Sequence, residues 1–68
     1  MTEKIKIVLV KRGLSAKQLA ELLGTTPSNL YHKFKRDNFS QKELEEIGEV
    51  LNCDFIGKFR MRDTGEEI

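Results

Sequence analysis

The sequence predicts a mainly α domain: four short helices followed by one C-terminal β-strand. Three observations predict it. Helix-start signals are written three times, apolar residues recur at helical spacing after them, and the period changes to two beyond Asn52.

The first helix, over residues 2–12, rests on Ile5, Val8 and Leu9 sharing one face, and it ends at Gly13. Its β-branched content (Ile5, Ile7, Val8, Val10) suits a strand equally well, so local propensity leaves this element open. The second helix, over 16–23, starts from Ser15 with Gln18 three residues on, a capping box, and Leu14 and Leu19 stand where a hydrophobic staple closes over it. It stops at Gly24, where glycine tolerates the left-handed conformation of a helix end. The third, over 27–35, begins at Thr26-Pro27 and carries Leu30 and Phe34 inward. The fourth, over 41–51, repeats box and staple in full, with Ser40 and Glu43 inside Phe39 and Leu44. Leu44, Ile47 and Leu51 face inward, and Glu45, Glu46 and Glu49 face solvent. After Asn52, Phe55, Gly57, Phe59 and Met61 alternate with Ile56, Lys58, Arg60 and Arg62. This is a strand over 54–62 with one apolar face, ended by Asp63-Thr64-Gly65.

Size and composition narrow the function. A chain of 68 residues makes one small domain with a marginal core, stabilised by tight helix packing or by association. One cysteine and one histidine exclude an internal disulfide and argue against a zinc site, so no metal or cofactor is expected. The apolar run 7–10 is far shorter than a membrane span and lacks a cleavage pattern, which predicts a cytoplasmic protein away from the membrane. Net charge is only +1, but it is unevenly spread. Residues 1–13 carry +3 and 25–38 carry +2, against −3 over 39–52, a polarity suited to presenting one face to an anion. No catalytic constellation emerges: His32 has no carboxylate or cysteine at helical spacing, Cys53 reads as a small apolar core residue, and Glu43 is claimed by its cap. An enzyme is not expected.

The informative stretch is 15–36. Two helices of about eight residues joined by Gly24-Thr25-Thr26 must cross steeply, as in a helix-turn-helix, whose second helix enters the major groove by its N-terminal end. Ala20 permits close approach and Leu30 fills the angle between the rods. In Leu14-Ser15, Leu19-Ala20, Leu23-Gly24, Ser28-Asn29-Leu30 and the helix of Ser40, Leu44 and Ile47, residues 4–52 resemble the XRE/Cro-type, phage-repressor-like family. That resemblance implies a lambda-repressor-like helix-turn-helix domain over 1–52, with the strand and tail of 53–68 serving dimerisation.

It further implies a sequence-specific transcriptional regulator of double-stranded DNA, a repressor of phage or mobile-element type. Carried onto this sequence, Pro27, Ser28, Asn29, Tyr31 and His32 read bases. Lys17, Thr26, Lys33, Lys35, Arg36 and Asn38 hold phosphates. Taken alone, 31–36 reads as a solvated helix face with positive charge at its C-terminal end; on the second helix of this motif it reads as a DNA-facing surface. Many relatives place glutamine at the first positions of these two helices, where this chain has Ala16 and Pro27. The alternative is therefore a protein-interaction module, an antitoxin or anti-repressor, on the same fold.

A lone strand leaves its backbone unsatisfied, and the simplest partner is the same strand of a second copy. The expected homodimer pairs the C-terminal strands antiparallel, with Phe55, Gly57, Phe59 and Met61 facing the helices and Ile7 and Val10 receiving them. Two recognition helices would then meet half-sites of a palindromic operator. In the competing readings the strand folds back on its own helices, or Lys58, Arg60 and Arg62 touch nucleic acid directly.

Overall fold

The chain, described over residues 1–68 in a computed structural model, runs α1 (Thr2–Arg12), α2 (Ala16–Leu23), α3 (Pro27–Arg36), α4 (Gln41–Val50), β1 (Cys53–Phe55) and β2 (Phe59–Met61). The β-branched first segment is helical because burial selects that period. Ile5, Val8 and Leu9 lie in the core while Ile7 and Val10 face out, whereas a strand would have put Ile7 on the side of Ile5 and Leu9. The expected caps form. Ser15 Oγ accepts from the Gln18 amide at 3.1 Å, and the Gln18 side chain accepts from the Ser15 amide at 2.8 Å. Ser40 and Glu43 exchange the same pair of bonds at 3.1 and 3.0 Å.

α1, α2 and α3 end in one way. Gly13, Gly24 and Asp37 adopt left-handed backbone, and the following amide (Leu14, Thr25, Asn38) returns to a carbonyl five residues back. Two of these stops are glycine and the third is an aspartate. α4 ends differently: its cap, Leu51, is not left-handed, and the carbonyls just beyond the helix are met from outside. The Arg12 guanidinium donates to the Leu51 carbonyl (2.9 Å), the Asn52 carbonyl (2.9 Å) and Asp63 (2.7 Å), which fixes the end of α1 to that of α4. The core draws on all four helices and both strands, with Phe59, Ile5, Leu19, Leu30 and Ile47 fully enclosed.

The C-terminal segment corrects the expectation of one strand over 54–62. β1 and β2 form an antiparallel hairpin pairing Cys53 with Met61, Asp54 with Arg60 and Phe55 with Phe59. The chain reverses at Gly57, whose φ of 84° suits a residue without Cβ. The alternation misleads because it is symmetric about Gly57: Phe55 and Phe59, like Cys53 and Met61, share a face whether the chain runs straight or turns back. The tail beyond Gly65 returns along β2 as well. Phe59 and Ile68 exchange backbone bonds of 3.2 and 2.9 Å, and Met61 donates to the Glu66 carbonyl at 2.9 Å. β2 therefore has a partner on each side within its own chain.

The proposed ribbon between copies loses its basis with that second partner. Phe59 and Met61 are 0% and 4% exposed in the core of their own subunit, and Phe55 is half-buried with its ring 5.1 Å from that of Phe59. Gly57 sits at the exposed turn tip. Of the residues assigned to that interface, Ile7 (46%) and Val10 (79%) remain as free apolar side chains. The other side of β1 lies against α4, where a Cβ on Gly48 would come within 3.0 Å of the Cys53 carbonyl oxygen.

Candidate nucleic-acid interface

The site is built on α3. Gly24 ends α2 in left-handed backbone at φ 71°, and buried Ala20 keeps the helix-two surface thin where α3 crosses it. Thr26 then starts α3, its Oγ1 accepting from the Asn29 amide at 3.2 Å, with Pro27 at the first helical position. Leu30 and Phe34 anchor the inner face in the core. The opposite face is open: Ser28, Asn29, Tyr31, His32, Lys35 and Arg36 are all exposed, and Pro27 and Lys33 are half-buried.

The hydrogen bonds refine individual assignments. Asn29 directs its side-chain amide to Thr25 Oγ1 at 3.4 Å, so a two-pronged contact with adenine requires that weak bond to open. The Thr26 hydroxyl accepts within its cap and keeps its own proton for an outside acceptor. Lys33 is ion-paired with Glu43, the same carboxylate that completes the α4 capping box. That pair ties α3 to α4 and holds the Glu43 carboxyl below its ordinary range, first through Lys33 and then through the Ser40 amide. Lys33 is the assigned phosphate contact that already has a partner in the free protein.

Cations divide into a paired set and an unpaired one, the latter including Lys4 and Lys6 on α1. Lys58, Arg60 and Arg62, on the hairpin, are each paired, with Glu67, with Asp54, and with Asp54 and Glu49 respectively. These three are thereby engaged within the fold, against the reading that they touch nucleic acid. Lys17 at the start of α2, Lys35 and Arg36 at the end of α3, and Lys42 at the start of α4 form no ion pair. Thr25, Asn29, His32, Lys33, Arg36 and Asn38, none of them a hydrophobic residue, line a recess of about 290 Å³ along α3. Thr25 and Lys42 are additions to the assigned set. Thr26, directly before Pro27, carries the capping signal of that pair and Thr25 carries none, and Lys42 lies outside the two-helix motif.

Comparison with known proteins points the same way. A family model described as Helix-turn-helix matches residues 5–57. Repressor protein CI of Enterobacteria phage phi80 is 37% identical over 49 residues, which are 72% of this chain and 21% of the phage protein. The chain thus spans about a fifth of the length of that relative. No solved structure matches it. No helix is long and apolar enough to cross a membrane.

Proposed function

This chain belongs to the helix-turn-helix family of XRE and phage-repressor type, and from that premise we propose that it is a cytoplasmic, DNA-binding transcriptional regulator acting as a repressor. One observation carries the reading. α3 offers an exposed polar face flanked by unpaired Lys17, Lys35 and Arg36, while the basic side chains of the hairpin are neutralised within the fold. Exposed cations around a projecting helix supply the phosphate attraction, and the face between them supplies hydrogen-bonding groups for base edges. Ser28 and His32 at the N-terminal half of α3 read bases, with Pro27, Asn29 and Tyr31 around them. Lys17, Thr26, Lys35, Arg36 and Asn38 hold backbone, and Lys33 joins them on release from Glu43. Two copies on a palindromic operator place their α3 helices in major grooves about 34 Å apart. Of the side chains assigned to a dimer contact, Ile7 and Val10 on α1 stay exposed and are the ones to join them, although Leu22 and Ile56 are exposed as well.

Selection from random duplex DNA tests this reading. The expected result is an enriched palindrome bound by two copies. Ser28→Ala with His32→Ala should relax its sequence by about 1–3 kcal/mol per altered base contact, and Lys35→Ala should weaken all sequences alike. Enrichment of nothing, with affinity indifferent to salt, would instead favour the interaction module, the reading supported by Ala16, Pro27 and the Lys33–Glu43 pair.

A further inference from the structure

Asp37 breaks two local preferences at once. It is a carboxylate at the C-terminal end of α3, where the helix dipole disfavours negative charge, and it takes left-handed backbone (φ 51°) at a position that α1 and α2 fill with glycine. The reason lies 35 residues away. α1 begins after Met1, which offers no side-chain cap, so the first amides of α1 need an outside acceptor. Asp37 Oδ1 accepts from the Thr2 amide at 2.8 Å, supplying from the end of α3 what an N-cap residue usually supplies locally. The Thr2 hydroxyl lies 2.9 Å from the same oxygen and 3.1 Å from the Phe34 carbonyl, so its one proton is shared between two acceptors on α3. Thr2 is 9% exposed and fully satisfied there. Beside this joint the Lys6 ammonium stands 5.7 Å from the centre of the Phe34 ring.

We propose that Asp37 is a positioning residue for DNA recognition: by capping α1 from the end of α3 it fixes the angle at which the recognition helix is held against the body of the domain. The proposal rests on the DNA-binding reading above. Asp37 touches no base and need touch no phosphate; it acts through Thr2 and through the Met1 ammonium, which donates to its other oxygen, Oδ2, at 3.2 Å. The two local penalties are retained because the tertiary bond depends on a short acceptor at this one backbone position.

Two neutral substitutions separate the bond from the charge. Asp37→Asn keeps an oxygen for the Thr2 amide and tolerates left-handed backbone; Asp37→Gly prefers that backbone and removes the oxygen. Both lose the same negative charge toward the Met1 ammonium, and glycine's preference for the left-handed backbone works against the expected loss, so weaker binding by Asp37→Gly reports the missing oxygen. Affinity for DNA selected by the wild-type chain is measured by fluorescence anisotropy over a salt series, at temperatures where circular dichroism shows each variant folded. Asp37→Gly is expected to bind at least threefold more weakly than Asp37→Asn, with the same salt slope, because no phosphate partner has been removed. Amide exchange at Asp37 and Asn38, which close the last turn of α3, should be about five- to tenfold faster in Asp37→Gly than in Asp37→Asn, the effect of a lost cap. Should Asp37→Gly not fold, Thr2→Val, which removes the shared proton, takes its place against wild type with the same expectations at smaller amplitude. Equal affinities for the two neutral variants would overturn the proposal, leaving Asp37 a stabilising residue only. A salt slope lower by about one in Asp37→Gly would also overturn it, by revealing a direct phosphate contact. If the wild-type chain selects no DNA, the functional reading fails first, before any variant is compared, and the proposal falls with it.

Discussion

Gly48 sits in the middle of α4, where helix propensity favours alanine by about 1 kcal/mol. The close approach of β1 reverses that preference. A Cβ there would come within 3.0 Å of the Cys53 carbonyl oxygen and 3.6 Å of the Phe55 nitrogen, both backbone atoms of a strand held on its other side by β2. Gly48→Ala is therefore expected to destabilise the domain by about 1–3 kcal/mol despite its better propensity, measured as a lower urea midpoint at unchanged slope. An unchanged or higher midpoint would mean that the hairpin yields. Neither Gly48 nor Asp37 can be understood from sequence, because in each the explanation is a backbone group contributed by a remote element. Ser15, Gln18, Ser40 and Glu43 were legible as caps for the opposite reason: their capping partners lie within three residues.

At the level of elements, the two capping boxes are alike in geometry and unlike in reach. The Ser15 box closes on itself, whereas Glu43 of the Ser40 box also holds Lys33 of the recognition helix. Ser15→Ala and Ser40→Ala should each lower stability by about 1 kcal/mol in thermal or urea unfolding. Ser40→Ala should in addition loosen α3, seen as a shifted Lys33 side-chain resonance that Ser15→Ala leaves in place. The helices were readable from period and caps, since each signal is local. The hairpin was not, because alternation about Gly57 fits two topologies and only the far side of β2 decides between them. The same limit affects the candidate site. The exposed face of α3 follows from Leu30 and Phe34 pointing inward, but the engagement of Lys33 by Glu43 and of Asn29 by Thr25 depends on how α4 and the preceding turn are placed.

Over the whole molecule, charge is arranged so that acid should loosen every junction together. Asp37, Glu43, Glu49, Asp54, Asp63 and Glu67 all titrate below their ordinary range. The causes are, in turn, the Thr2 amide, Lys33, Arg62, Arg62 again, Arg12 and Lys58. A carboxyl whose folded pKa lies below its unfolded one adds stability above the unfolded value and loses it as pH falls through the folded value. Thermal midpoints should accordingly be level above about pH 5 and decline below about pH 4. Because these pairs are largely exposed, raising salt should flatten the decline. A midpoint that is independent of pH down to about 3 would show that the ion pairs contribute nothing.

The return of residues 66–68 along β2 has a consequence for the life of the chain. Those three residues act as a zip fastener over the Phe59 and Met61 amides, which would otherwise form a bare seam beside the hydrophobic interior. Loss of residues 66–68 from β2 would open the seam without touching any helix, and a seam of that kind is repaired most readily by a neighbour's backbone. Replacing Glu66, Glu67 and Ile68 with proline, which removes the Ile68 donor and disfavours the return, is thus expected to turn the protein into swapped or clumped species, visible by size-exclusion chromatography, while the far-ultraviolet helical signal persists. A variant that elutes unchanged would mean that the seam can tolerate water.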